Sequence, residues 1–284
     1  MKQDVERRLG RIEDISTLPG VAHSVVQLIQ NPKSSALQVG EAISRDPALA
    51  SKVLRIANSA FYGFPRKIST IHSAIVVLGF ANIRNIVLTA SIAGMLPPRE
   101  DGMLFDRVSF WRHSLACGIA SKLLAGRMGM KNLEEAFLWG LLHDLGKVVL
   151  DGCFRDDYLL IVRLAREKGR LLREAEEAVL GFDHAEAGGV VAEKWNLPPA
   201  LIKAVRFHHD PPRARESARV VSIVHLADIL SRAVGLGNGG DDRIPVVHDD
   251  AWSLLKMDGD EIRVLFGELE HEMDRATDFL PLVH

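Results

Sequence analysis

Leu141-Leu142-His143-Asp144-Leu145-Gly146-Lys147 sets an imidazole, a carboxylate and an ammonium into an apolar run that reads as helix. Such groups are costly to bury unless they are paired or hold a ligand. Neighbouring helix positions splay by about 100°, yet His143 and Asp144 can still converge on one ion lying over the helix edge. Lys147 follows one turn after His143, where it could reach an anionic ligand such as a phosphate oxygen. Gly146 lets another backbone approach. Taken alone, the stretch reads equally well as a solvated helix edge that happens to carry His and Asp.

Working outward, helical signals dominate. Asp46-Pro47 is a helix start, an N-cap carboxylate followed by proline at the first helical position. Leu49, Val53, Leu54 and Ala57 then recur at helical spacing. A turn at Tyr62-Gly63-Phe64-Pro65 precedes two apolar helical stretches, 71–78 and 81–95. Leu96-Pro97-Pro98-Arg99-Glu100-Asp101-Gly102 stops helices and is the best internal boundary. Further helical patterns cover 105–128, 132–150, 155–168, 171–180, 184–195, 199–208, 215–234 and 259–279. Asp183 with Glu186 suits a carboxylate-capped helix start. Gly235 to Asp242 reads as a mobile glycine- and asparagine-rich loop. There is no sustained period-two alternation and no repeat. The predicted fold is all-α, with a smaller N-terminal helical lobe over 1–98 and a larger lobe over 99–284, of which 235–284 is a C-terminal extension.

Composition narrows the function classes. The 284 residues are 47% apolar and 25% charged, enough for a sizeable core in a globular chain. A formal net charge of -2 argues against general electrostatic binding of nucleic acid. Cys117 and Cys153 are too few for a disulfide framework or a zinc finger and read as buried free thiols. The charged start lacks the apolar core of a signal peptide. The most apolar stretch, Ala74 to Leu96, carries Asn82, Arg84 and Asn85 in its middle and is a poor membrane span. The chain is therefore expected in the cytoplasm, with neither nucleic acid nor membrane as partner.

Other histidines and carboxylates stand in similar settings. His113 follows Trp111-Arg112 in an apolar helix, His184 sits at a helix start, and His208-His209 closes a helix before Asp210-Pro211. Asp228 lies in a helix that is apolar almost all round, and a buried carboxylate needs a cation or hydrogen-bond donors. Five histidines and two aspartates suit two adjacent divalent metals bound through nitrogen and oxygen. His225, one turn before Asp228, reads as a core or surface histidine rather than a partner behind the ligands. Arg206, Arg213 and Arg215 could steer an anion, and a solvated face explains them nearly as well. Trp111, Trp139 and Trp195 read as core. His23, His72, His248, His271 and His284 have no converging partners in sequence.

The order His113, His143-Asp144, His184, His208-His209, Asp228 resembles the HD superfamily of metal-dependent phosphohydrolases, and the His-Asp-x-Gly-Lys core is most similar to the HD-GYP branch. Asp46-Pro47-Ala48-Leu49, Ile56 to Gly63 and Ile71 to Gly79 are very similar to the signature of the HDOD family. The likeness covers roughly residues 10 to 235. It implies an all-α fold, a bacterial signalling role, and a family in which many members have lost their metal ligands. Here the ligand positions are filled. By resemblance, His113, His143, Asp144 and Asp228 would hold one metal, with Asp144 bridging to a second held by His184, His208 and His209. Lys147 would contact substrate phosphate. The metals would be iron first, with manganese, zinc or nickel as alternatives. No Gly-Tyr-Pro loop follows His208-His209, and Ser109 stands where trinuclear members carry a glutamate; both count against a third metal and a cyclic dinucleotide ligand. Asn58, Ser59 and Tyr62-Gly63 read as turn and packing residues.

Three functions follow from this resemblance. The first is a regulatory HDOD protein that retains a dinuclear metal site and engages a signalling protein partner or a small phosphorylated ligand. The alternative is an active metal-dependent phosphohydrolase or phosphodiesterase, with Asp144 bridging the metals and Lys147 stabilising developing charge. The third is a di-iron oxygenase or redox sensor.

Overall fold

The computed structural model describes residues 2–15, 18–95 and 106–276. The predicted boundary, Leu96 to Gly102, lies outside the described residues, as does His284. Two compact units make up the chain: Met1–Ser16 with Pro98–Glu270, and Thr17–Pro97 with His271–His284. Among the described residues the secondary structure is helical, without strands.

Helix α1 (Lys2–Ile15) opens the chain. The smaller unit follows with α2 (Gly20–Gln30), α3 (Ala36–Ser44), α4 (Pro47–Ala57) and α5 (Ile71–Gly94). The Asp46 carboxylate accepts from the amides of Ala48 and Leu49, both at 3.0 Å, so the Asp-Pro signal does start α4. Asn58 ends α4 by bonding Leu54 O and both backbone groups of Ile68, a turn role rather than a chemical one. Within α5, Gly79 leaves helical geometry at φ 79° and ψ 165°, a region that favours glycine. The two helical stretches read on either side of it are thus distinct. Among the described residues α5 alone is long and apolar enough to cross a membrane, and 67% of its apolar window is buried inside the protein.

The larger unit contains α6 (Arg107–Arg127), α7 (Leu133–Leu142), α8 (Leu145–Cys153), α9 (Arg155–Lys168), α10 (Leu172–Leu180), α11 (His184–Lys194) and α12 (Pro199–Phe207). A 3-10 segment (Pro211–Ser217) leads into α13 (Ala218–Ala233), and α14 (Asp249–Leu255) and α15 (Gly259–Arg275) follow. Helix α1 packs on α8 and α11 within this unit. Trp111, Trp139 and Trp195 are buried in its core, as are Cys117 and Cys153, neither of which is in a disulfide.

The structure corrects two expectations. The single helix read over 132–150 is broken: α7 stops at Leu142 and α8 starts at Leu145, with Asp144 at φ -90° and ψ 16° between them. Glycines on both sides of the break allow backbones to meet. A Cβ on Gly140 would overlap the Cys117 carbonyl oxygen of α6, and one on Gly146 would overlap the His184 carbonyl oxygen of α11. The loop from Gly235 to Asp242 is not free either. Asn238 N–H donates to Ser109 O at 3.1 Å, and Gly239 O accepts from Lys147 Nζ at 2.7 Å. The Asp241 carboxylate accepts from Arg232 and from the Leu172 amide. These anchors lie on four helices, α6, α8, α10 and α13, and hold the loop against the core.

Candidate metal centre

Each of the seven candidate ligands enters from a helix of the larger unit or from a helix end. His113 comes from α6, His143 and Asp144 from the break between α7 and α8, and His184 from the first turn of α11, whose start Asp183 caps through the Glu186 amide. His208 and His209 follow the end of α12, and Asp228 comes from α13. The structure brings all seven together. Nε2 of His143 and His184 each lie 3.2 Å from an Asp144 oxygen, while those of His113 and His208 lie at 3.7 and 3.8 Å. Asp228 Oδ1 is 3.1 Å from His113 Nε2 and 3.9 Å from His143 Nε2. His209 Nε2 is 3.0 Å from His184 Nε2. Six of the seven are buried, and His209 alone is part-exposed.

The break explains this convergence. In a continuous helix His143 and Asp144 would point apart; where α7 ends and α8 begins, both aim at the same interior point.

Hydrogen bonds behind the rings set their tautomers. His143 Nδ1 donates to Gly140 O at 2.7 Å, and His208 Nδ1 donates to Val205 O at 2.9 Å. A carbonyl only accepts, so each neutral ring presents an Nε2 lone pair inward. His184 Nδ1 donates to Glu176 Oε2 at 2.6 Å, and the same oxygen accepts the His184 amide. Tyr158 OH donates to the other Glu176 oxygen at 3.2 Å. A buried carboxylate behind a metal-facing imidazole is the usual way to orient the ring and raise its basicity.

The buried interior ends of these groups lack ordinary partners. His113 Nε2, His143 Nε2, His208 Nε2 and Asp144 Oδ1 make no hydrogen bond. His184 Nε2 and His209 Nε2 stand 3.0 Å apart and need a proton or a cation between them. Buried lone pairs directed at one another are costly, and divalent cations between them would remove the cost. Three sets have ligand atoms within 4.8 Å of one another: His184, His208 and His209; His113, His143 and Asp228; and His143, Asp144 and His208. The donor set of nitrogen and oxygen suits divalent first-row metals, and the residues fit such ions.

Without cations the cluster is electrostatically strained. Burial opposes charge on His143, but the adjoining Asp144 carboxylate outweighs it and lifts the imidazole well above its ordinary value. Burial likewise opposes charge on His184, yet Glu176 raises it to about 9. Burial pushes Asp144 up, but His143 and Lys147 together pull it well below the usual carboxylate range. His208 and His113 are held down, chiefly by burial.

Lys147 is completely buried, and its Nζ donates to Asp144 Oδ2 at 2.6 Å and to Gly239 O. Arg232 is the counterpart on the other carboxylate, with Nε donating to Asp228 Oδ1 at 2.8 Å. Reading the sequence missed Glu176, Arg232 and the glycine loop. Glu176 gave one signal: it shares an i, i+4 stripe with Leu172 and Leu180, so a carboxylate occupies the apolar face of α10. His225 is a core histidine: Nδ1 donates to His208 O at 2.7 Å, and Nε2 accepts from the His248 amide at 3.0 Å.

A helical core that gathers a His-Asp pair, four further histidines and a second aspartate at one point defines a helical protein of HD type. The HDOD domain model matches residues 15–211, most of the chain, and the chain belongs to that family. An HDOD domain protein with unknown function from Geobacter sulfurreducens superposes with a TM-score of 0.78 at 27% identity, covering 97% of this chain and 99% of that one. A candidate phosphohydrolase from Shewanella amazonensis superposes with a TM-score of 0.76 at 25% identity, covering 98% of both chains. An uncharacterised protein of Treponema pallidum is 28% identical over 224 residues, 78% of this chain but 43% of its own length, so the chain spans less than half of that relative.

Proposed function

We propose that this HDOD protein retains an intact dinuclear HD-type centre and uses it to hydrolyse a phosphoester. The observation that carries the reading is the convergence of buried, unpartnered imidazole and carboxylate atoms, with ring tautomers fixed from behind. His113, His143, Asp144 and Asp228 would hold one ion; Asp144, His184, His208 and His209 would hold the other. Iron, manganese, zinc and nickel all suit these donors. Bound there, two divalent ions would supply Lewis-acid activation of water and of the phosphoryl group. The chain's own residues do the rest. Glu176 keeps the His184 proton on Nδ1. Lys147 fixes the Asp144 carboxylate and retains a further N–H donor for a phosphoryl oxygen. The buried walls exclude bulk water. The likeness to the Shewanella candidate phosphohydrolase agrees with this chemistry.

The test is turnover of p-nitrophenyl phosphate and bis(p-nitrophenyl) phosphate by metal-loaded protein. Activity is expected in the wild type and is lost in Asp144→Ala together with the metal. Lys147→Met should keep the metal and lose most of the rate. A fully loaded protein that turns over neither ester would contradict hydrolysis of simple phosphoesters. A regulatory role is the second reading. Its support is the apolar surface of α5, where Val76 is 66% and Val77 47% exposed, suited to a signalling protein partner.

A further inference from the structure

Of the seven candidate ligands only His209 reaches solvent, and it lines a cavity of about 430 Å³ in the larger unit. Leu171, Arg173, His225, Val247 and His248 also line it. The volume is in the range of small-molecule sites. One wall belongs to the segment after Gly235, which lies beyond the 15–211 match to the family model. His225 ties that wall to the centre, because it bonds the His208 carbonyl on one side and the His248 amide on the other. The wall is therefore fixed relative to the ligands rather than laid loosely over them.

Arg173 is the one Lys or Arg side chain in this lining. Its Nε is buried and has no hydrogen-bond partner among the described residues. An Nε–H in that state lacks an acceptor although the Glu177 carboxylate lies near the guanidinium, and an oxyanion is a ligand that a guanidinium matches well. Asp249, at the start of α14, is the single carboxylate lining the cavity and is exposed to solvent.

We propose that this cavity is the specificity pocket of the centre, binding a small phosphorylated molecule whose oxyanion Arg173 holds and whose organic part rests on Leu171 and Val247. The proposal rests on the reading of the His–Asp cluster as the reacting centre. It assigns the C-terminal extension a role: it completes the pocket and so selects the ligand.

The experiment is calorimetric titration with inorganic pyrophosphate, on protein as purified and after dialysis against EDTA, with metal content measured in parallel. Arg173→Met is expected to weaken pyrophosphate binding about tenfold or more while metal content stays unchanged, and Arg173→Lys should recover part of the loss. Val247→Trp, which fills the cavity from the extension, should weaken binding without touching a ligand. Equal affinity in wild type and Arg173→Met would overturn the pocket, as would a wild type that binds no pyrophosphate. Arg173-dependent binding in a wild type that takes up no metal would instead overturn the reading of the cluster and leave the pocket standing.

Discussion

At the scale of single residues, the centre depends on atoms whose polar needs are unmet inside the protein. Asp144 touches four imidazoles and Lys147, so it is the residue on which the arrangement depends most. Asp144→Ala is expected to abolish metal binding, read as metal equivalents per chain; retained metal would remove Asp144 from the site. Glu176→Gln keeps the shape but weakens the acceptor behind His184, and should lower metal affinity by about 10–100-fold in a competition titration against a chelating dye. The same change at exposed Glu177 should leave affinity unaltered. His113, His143, Asp144 and Asp228 stood out in the sequence as polar residues inside apolar helical runs, whereas His184, His208 and His209, at helix ends, were singled out by the resemblance to the HD pattern. Glu176 was not, since it stands among other acidic residues, Glu174 and Glu177, on a helix that looks amphipathic. Arg232 was missed for a similar reason: an arginine one turn after a buried aspartate resembles any surface ion pair until its burial is known.

At the scale of elements, two close helix contacts position the ligands. Gly146 lets α8 touch α11, and Gly140 lets α7 touch α6. Gly146→Ala puts a methyl group into the His184 carbonyl and should destabilise the larger unit by about 1–3 kcal/mol or more, displacing His184 as it does so. Gly152, on the same helix, has open space around it. Gly152→Ala should be neutral or stabilising by up to about 1 kcal/mol. Denaturant midpoints of the two variants check the opposite signs, and a shared sign would contradict the packing account. Helices with strong caps, such as the one Asp46-Pro47 starts, were readable because the signal is local. The break at His143-Asp144 was not readable: nothing in Leu133–Cys153 stops a helix, and the interruption depends on what α7 and α8 pack against. The loop after Gly235 was misread for the same reason, because its anchors on Ser109, Lys147 and Leu172 are remote in sequence.

At the scale of the molecule, metal held by the proposed centre, which is built from α6, α7, α8, α11, α12 and α13, would add to the stability of the larger unit. Ions that bind the folded state and not the unfolded chain add about 2.7 kcal/mol at one hundred times their dissociation constant. For a unit of this size that corresponds to a rise in Tm of about 5–10 °C. Calorimetry with and without EDTA should show this difference, and superimposable transitions would mean the fold does not use the metal. The measurement that bears most directly on the central claim is elemental analysis of protein purified without a metal-affinity tag. The account predicts about two equivalents of iron, manganese, zinc or nickel per chain, as expected for two divalent ions sharing nitrogen and oxygen ligands. Essentially no metal, even after incubation with these ions, would contradict it.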